Sequence, residues 1–136
     1  MIEKITQSKA FISEIIEGKT IESVIVLGSG MSGFEENYKH LYQLNYSEIP
    51  NFLQPSIEGH SGKLSIVNIE GKITAILSGR AHFYEGYPIQ ELVIPIRTFI
   101  TLGAKTLILT NAAGGISSKY TPGAVSYTHL TLPTTR

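Results

Sequence analysis

The chain has 136 residues, a length that allows one domain with a hydrophobic core. Its 11 basic and 11 acidic residues give a formal net charge of +0, which excludes the positive field of a nucleic-acid-binding surface. Cysteine is absent, so disulfides and thiolate metal sites are excluded, and no apolar run reaches the roughly 18 residues of a membrane span. The amino terminus has no apolar signal-peptide core. These features predict a soluble, cytoplasmic protein without nucleic-acid or membrane partners.

The first predicted elements are a helix and a strand. Four isoleucines recur at helical spacing: Ile5, Ile12, Ile15 and Ile16. Gly18 stands where that helix would end. Residues 24–27 are β-branched and apolar on both faces, as in a strand buried inside a parallel or mixed sheet. A short polar helix is predicted near residues 31–38, and residues 39–58 are predicted to be a loop with at most one strand. Three tyrosines at a spacing of four favour a packed or interface stripe: Tyr38, Tyr42 and Tyr46.

The next elements are a hairpin and a helix. Residues 63–69 and 72–77 flank Glu70 and Gly71, a pair suited to a tight turn, and this pattern predicts a β-hairpin. Pro88 favours a helix start. Six apolar residues form the predicted buried stripe of this helix: Ile89, Leu92, Val93, Ile96, Phe99 and Ile100. Pro95 lies within the stripe and predicts a kink or a later start.

Residues 105–110 are the last predicted strand and are again apolar on both faces. Strands that alternate with helices, together with one hairpin, indicate the α/β class. The sequence therefore predicts a mixed central β-sheet flanked by helices.

Three of the predicted strands are followed by loops rich in glycine or in polar side chains. These loops are residues 28–33, 78–87 and 111–115. A glycine-rich turn after a strand brings backbone N–H groups close to a bound anion, and the hydroxyl of Ser29 adds one more donor. The three loops together predict an anion site beside a polar small molecule.

The middle loop concentrates the side chains that suit such a site. Arg80 offers a planar fork of donors that matches phosphate oxygens. His82 can donate to the same anion, and Tyr84 supplies a flat ring and a hydroxyl. Glu85 is expected to orient the loop rather than to transfer protons. The alternative is an exposed polar loop without chemistry.

Gly28, Gly30 and Gly33 also fit the G-x-G-x-x-G spacing of dinucleotide-binding folds. Such folds place an acidic residue about 20 residues farther on, at the end of a second strand. Glu48 lies at roughly that distance, but its surroundings are typical of a loop. A dinucleotide-dependent oxidoreductase is therefore the lesser alternative.

The chain resembles the amino-terminal half of purine nucleoside phosphorylases, in particular the trimeric branch specific for 6-oxopurine nucleosides. Four motifs carry the resemblance in the family's order: Gly-Ser-Gly at 28–30, Gly-His-Ser-Gly at 59–62, Gly-Arg-x-His-x-Tyr-Glu-Gly-Tyr at 79–87 and Thr-Asn-Ala-Ala-Gly-Gly at 110–115. It extends from about residue 10 to residue 123, so residues 1–123 are expected to be the amino-terminal part of one nucleoside phosphorylase domain. Methylthioadenosine phosphorylases share the architecture but generally carry a threonine-containing motif at residues 59–61, which ranks them second.

The resemblance implies phosphorolysis of inosine or guanosine to the free base and ribose 1-phosphate. A pentosyltransferase of this kind belongs to purine salvage. The reaction passes through a ribosyl cation-like transition state, which a bound phosphate stabilises. Phosphate is itself the nucleophile, so neither a metal nor an organic cofactor is expected. The implied partners are a purine nucleoside, phosphate and, for the complete protein, the other subunits of a homotrimer.

The resemblance also implies roles for residues at the matched positions. The phosphate would be held by one group of residues: Ser29, His60, Arg80, His82 and the backbone N–H of Ala112. His60, Arg80 and His82 count as the catalytic residues of this group. The nucleoside would contact a second group: Tyr84, Asn111, Ala112 and Ala113.

Structural alternatives remain open for three of these residues. Ser29 would then merely cap the following helix, as serines in such loops often do. Arg80 would pair with Glu85 on the same loop. His60 would be an ordinary loop histidine satisfied by a carbonyl group.

Residues 124–136 depart from the family pattern. The resemblance implies an apolar strand and an Asp-His-x-Asn segment after residue 123, yet this tail contains neither aspartate nor asparagine. The tail resembles translated sequencing-adapter read-through, and a natural divergent strand is the alternative. In the family, the following half holds the purine ring. Residues 1–136 alone are therefore expected to be inactive and poorly folded, and a non-catalytic binding fragment is the alternative function.

Overall fold

The computed structural model describes residues 1–56 and 61–125, which form a five-stranded sheet with the order β2-β3-β4-β1-β5. The strands are β1 (Ser23–Leu27), β2 (His40–Asn45), β3 (Lys63–Ile69), β4 (Lys72–Ser78) and β5 (Thr106–Leu109). β1 pairs in parallel with both β4 and β5, whereas β3 is antiparallel to β2 and to β4. The predicted mixed sheet of the α/β class is confirmed.

The predicted hairpin is the β3–β4 connection. Glu70 and Gly71 both have positive φ, 49° and 85°, as a two-residue turn requires. The side chain of Asn68 accepts a hydrogen bond of 2.8 Å from the N–H of Gly71. The hairpin brings β4 back beside β1, and this places β4 parallel to β1 in the middle of the sheet.

The helices are α1 (Ile2–Ile15), α2 (Ile89–Leu92) and α3 (Ile94–Thr101). α1 ends ahead of Gly18, which adopts a φ of 71°. The predicted break at Pro95 is confirmed, since this proline lies in the first turn of α3 and Val93 separates α3 from α2. The predicted stripe is wrong at its two ends, because Ile89 and Ile100 are exposed. The buried positions of α3 are Ile94, Thr98 and Phe99, and of these only Phe99 belongs to the predicted stripe.

Side chains pack on both faces of the sheet. One face carries the larger core, in which Ile12 of α1 and Phe99 of α3 cover Val24 and Leu77. The opposite face carries a smaller cluster around Leu27, Val67 and Ile76. β1 and β4 contribute to both clusters, which is why β1 has the continuous apolar run that predicted its burial.

The segment between β1 and β3 is less regular than the rest. The predicted polar helix near residues 31–38 is one turn of 3-10 helix, Phe34–Asn37, and the predicted loop contains β2 and a second 3-10 turn, Tyr46–Glu48. Glu48 accepts a hydrogen bond of 2.7 Å from the N–H of Asn45 and ends no strand. The β-α-β unit that a dinucleotide site needs is thus replaced here by a 3-10 turn and an antiparallel strand.

The predicted tyrosine stripe is divided between the two faces of the sheet. Tyr42 and Tyr46 pack with the larger core, whereas Tyr38 precedes β2 and packs on the smaller cluster. Tyr46 is buried, with 3% of its surface exposed. Tyr42 donates a hydrogen bond to Glu17 at 2.5 Å, and Tyr38 packs on Phe34.

The expectation that the last strand is buried also differs from the structure. All four residues of β5 are exposed, and β1 is its sheet neighbour. Within residues 1–56 and 61–125, no helix combines the length and the apolar character that crossing a membrane requires.

Candidate active site

The carboxyl ends of β4, β1 and β5 lie side by side at one edge of the sheet. Val26 on β1 pairs with Leu77 on β4 and with Leu109 on β5, so these residues mark one level across the three strands. The residues three positions beyond that level are three of the predicted phosphate ligands: Ser29, Arg80 and Ala112. Neighbouring strands are about 4.8 Å apart, so parallel pairing brings these three loops to one place although they are distant in sequence.

The first and third loops are in direct contact through Gly28 and Thr110. The N–H of Gly28 donates to the hydroxyl of Thr110 at 2.9 Å, and that hydroxyl donates to the carbonyl of Val26 at 2.9 Å. A Cβ atom at Gly28 would lie 2.4 Å from the carbonyl oxygen of Thr110. The approach of the two loops therefore requires glycine at position 28.

The middle loop places Arg80 and His82 side by side. The Nε–H of Arg80 points at Nε2 of His82 at 3.5 Å, and Nδ1 of His82 lies 3.2 Å from a carboxylate oxygen of Glu85. A carboxylate accepts hydrogen bonds, so Nδ1 carries the hydrogen and Nε2 offers its lone pair to Arg80. In this form Nε2 is an acceptor, and donation from this nitrogen to an anion requires a second proton on the imidazole.

Glu85 is the anchor of this loop. Its side chain is 4% exposed, and it accepts hydrogen bonds from the N–H of His82, from the N–H of Ser56 at 2.8 Å and from the hydroxyl of Ser56. These donors, with the hydroxyl of Ser56 contributing most, lower the pKa of Glu85 to about 2. Glu85 therefore orients the loop, as predicted. Among the described contacts it is held by His82 and Ser56 rather than by Arg80.

The nucleoside-binding residues predicted from the resemblance lie around this loop and the third loop. The ring of Tyr84 stacks on that of His82, with centroids 4.9 Å apart and planes 20° apart. Tyr84, Asn111, Ala112 and Ala113 are exposed, as is Ser29. His60 lies outside the described residues.

Tyr46 belongs to the site, although sequence reasoning assigned it to a stripe. Its hydroxyl donates to the carbonyl of Gly79 at 2.7 Å, immediately before Arg80. Burial of the ring raises the pKa of Tyr46, and the charge of Glu35 adds to the effect, so the hydroxyl stays a donor. The resemblance described above also covers residues 46–52, a connecting segment that begins with Tyr46, and this was the signal available in the sequence.

A cavity of about 290 Å³ lies between the middle loop and the helices α2 and α3. Arg80 and His82 form part of its wall, and the rest is mainly apolar, including Leu77, Ile96 and Leu109. An apolar cavity with a few convergent polar groups is the usual form of a small-molecule site.

Comparisons with known proteins point in the same direction. The sequence model of the Phosphorylase superfamily matches residues 23–129. The mouse purine nucleoside phosphorylase is 37% identical over 111 residues, which are 80% of this chain and 38% of that protein. Purine nucleoside phosphorylase 1 of Bacillus subtilis is 34% identical over 123 residues, 90% of this chain and 45% of that protein. The chain thus spans less than half the length of these relatives.

Solved structures of Schistosoma mansoni purine nucleoside phosphorylases are similar in fold. One is complexed with a monocyclic inhibitor and has a TM-score of 0.78 at 34% sequence identity. The matched region covers 90% of this chain and 44% of that chain. Isoform 2, in complex with cytosine and ribose-1-phosphate, has a TM-score of 0.74 at 33% sequence identity. Here the matched region covers 86% of this chain and 41% of that chain.

Proposed function

The chain belongs to the phosphorylase superfamily, and we propose that it forms the amino-terminal part of a purine nucleoside phosphorylase that cleaves inosine and guanosine with inorganic phosphate. One observation carries the proposal. Ser29, Arg80 and Ala112 stand three positions beyond one level of three adjacent strands, beside a histidine oriented by Glu85. This arrangement supplies a hydroxyl, a guanidinium, a backbone N–H and an imidazole to one anion.

These groups would bind phosphate below the sugar. The fork of Arg80 binds two phosphate oxygens, and the hydroxyl of Ser29 and the N–H of Ala112 donate to others. The contact between Arg80 and Nε2 of His82 is long, at 3.5 Å, so an anion can replace it at small cost. His60 would complete the set from the segment before Ser61.

The chemical step is a displacement at the anomeric carbon of ribose. A phosphate oxygen forms the new bond to this carbon while the N-glycosidic bond breaks and its electron pair leaves with the purine. Positive charge develops on the sugar in the transition state, and the bound phosphate dianion stabilises it at close range. Phosphate is consumed as a substrate, so the step needs no further cofactor.

The nucleoside would lie above the phosphate, between the middle and third loops. Tyr84 would contact the ribose, and Asn111, Ala112 and Ala113 would line the sugar and purine pocket, where small side chains let a flat base approach the backbone. The ribose-1-phosphate in the complex of the Schistosoma mansoni isoform 2 enzyme supports a sugar-phosphate pocket in this fold.

The proposal concerns the complete protein. Relatives extend far beyond the matched region, since residues matched to the mouse enzyme make up 38% of its length. We propose that the remainder supplies the groups that choose the purine and that residues 1–136 alone do not turn over. The family match extends to residue 129, six residues into the tail that was expected to depart from the family. The complete protein would act as a homotrimer in cytoplasmic purine salvage.

The test is an assay of the complete reading frame that contains residues 1–123. Inosine and guanosine are supplied with and without phosphate, and both the free base and ribose 1-phosphate are measured. Phosphate-dependent release of hypoxanthine and guanine is expected, with adenosine and methylthioadenosine as poorer substrates. Base release at the same rate without phosphate would show a hydrolase and contradict the proposal.

A further inference from the structure

We propose that Ser56 is a positioning residue for His82 and that it acts by fixing the carboxylate of Glu85. The contact joins two segments that are 29 residues apart in the chain. The geometry of this contact rests on the structure alone. Its kinetic consequence rests on the proposed function.

The two oxygens of Glu85 are divided between two partners. Oε1 accepts both the N–H of Ser56, at 2.8 Å, and the hydroxyl of Ser56. Oε2 accepts the N–H of His82 and lies 3.2 Å from Nδ1 of the same residue. The terminal torsion of a glutamate side chain has broad preferences, so a carboxylate bound through one oxygen can still turn. Ser56 holds the second oxygen, and the orientation of the first toward the imidazole is thereby fixed.

Ser56 is itself held in place by the packing of the residues before it. A Cβ atom at Gly62 would lie 2.8 Å from Oε1 of Gln54 and 3.1 Å from Cδ of Pro55, so these residues pack closely on the start of β3. The hydroxyl of Tyr87 also donates to the carbonyl of Gln54, at 3.4 Å. Ser56 is itself exposed, and it directly follows residues whose side chains pack on the start of β3.

The need for these donors follows from the burial of Glu85. Its side chain is 4% exposed, and a carboxylate with so little access to water needs protein donors in place of solvent. The lowered pKa of Glu85, caused chiefly by the hydroxyl of Ser56, agrees with this geometry. Removing the hydroxyl leaves the N–H of Ser56 on Oε1, so the carboxylate stays charged but its second oxygen keeps one donor of two and is held less firmly.

The test compares Ser56→Ala with Ser56→Thr, which keeps the hydroxyl, and with Ser47→Ala, which removes an exposed hydroxyl in the same connecting segment. The complete protein is labelled with ¹⁵N-histidine, and the ring-nitrogen signals of His82 are recorded without phosphate. Phosphate KM and kcat are then measured with inosine at saturation.

Ser56→Ala is expected to shift the Nδ1 signal of His82 and to raise the phosphate KM about tenfold, the change that corresponds to about 1.4 kcal/mol, near the value of one hydrogen bond to a charged group. The kcat is expected to change less than the KM. Ser56→Thr and Ser47→Ala should stay near the wild-type values. If Ser56→Ala fails to fold, Ser56→Cys, with its weaker donor, should produce smaller changes in the same direction.

Unchanged His82 signals together with an unchanged phosphate KM in Ser56→Ala would overturn the proposal. A shifted Nδ1 signal in a protein whose base release is independent of phosphate would support the positioning role and contradict the proposed function. The spectrum recorded without phosphate therefore distinguishes failure of the positioning role from failure of the proposed function.

Discussion

The contact between Gly28 and Thr110 predicts that one added methyl group would damage the proposed phosphate site. In Gly28→Ala the new Cβ would lie 2.4 Å from the carbonyl oxygen of Thr110 and 3.0 Å from Cα of Asn111. Both neighbours are backbone atoms, so no side chain can turn away to make room. The loop that carries Ser29 and the loop that carries Ala112 must move apart.

The size of the movement follows from this distance. Ordinary van der Waals contact begins at 3.4 Å, so relief requires the two backbones to separate by about 1 Å. Overpacking of this kind typically costs about 1–3 kcal/mol of stability. A misplacement of about 1 Å within an active site can reduce the rate about hundredfold. We therefore expect kcat/KM for phosphate in Gly28→Ala to fall by about two orders of magnitude.

The assay is steady-state phosphorolysis of inosine by the complete protein, with chemical denaturation of the same samples. Gly71→Ala is the matched control, because Gly71 has a positive φ of 85° and no neighbouring atom within 4 Å of an added Cβ. This control should lose about 1–2 kcal/mol of stability from backbone strain in the distant hairpin turn and retain its phosphate kinetics. Wild-type kinetics in Gly28→Ala would refute the argument that these two loops form one rigid site.

Three further predictions concern the middle loop. Arg80→Ala should weaken phosphate use by about 1.5–3 kcal/mol or more, and Arg80→Lys should restore only part of it because the planar fork is lost; an unchanged phosphate KM would make Arg80 a structural residue. Glu85 has a folded pKa of about 2 against an ordinary value of 4.5, so its contribution to stability is complete above pH 4.5 and is lost as the pH falls toward 2. Denaturation of the wild type should therefore depend more steeply on pH in this window than that of Glu85→Gln, and parallel curves would contradict the assignment. Tyr46→Phe keeps the buried ring but leaves the carbonyl of Gly79 without its donor, so the free energy of unfolding should fall by about 1–3 kcal/mol, as measured by urea denaturation. Tyr42→Phe, which keeps a half-buried ring and removes only an exposed hydrogen bond to Glu17, should change it little.

The sheet and its loops could be predicted because their signals are local in the sequence. The run at residues 24–27 has the composition of a buried strand, and Glu70 with Gly71 has the composition of a tight turn. A strand followed by a loop rich in glycine or polar residues predicts a close approach to an anion, and three such loops predicted the site at residues 28–33, 78–87 and 111–115. Parallel pairing then brings these loops together.

The supports of the site could not be predicted in the same way, because each depends on a contact between distant segments. Tyr46 is separated from Gly79 by 33 residues, and Ser56 is separated from Glu85 by 29. The residues from Tyr46 to Ser56 include one 3-10 turn and otherwise no regular element, so no periodicity reports which of their side chains face inward. Only the folded structure shows that this segment forms hydrogen bonds with the loop that contains Arg80.

β5 shows that the apolar composition of a strand does not by itself ensure that the strand is buried. Its apolar side chains predicted burial, yet Leu107, Ile108 and Leu109 are 41%, 46% and 54% exposed. Fully burying one such side chain contributes roughly 1.5–3 kcal/mol, so β5 gains little from burial and depends on its register with β1 and on the hydrogen bonds of Thr110. Ala112 lies three residues beyond this strand, so the most exposed strand of the sheet positions one of the proposed phosphate ligands. Any segment that covers β5 in the complete protein would also stabilise the Ala112 loop, so we expect completion of the fold to strengthen the proposed phosphate site.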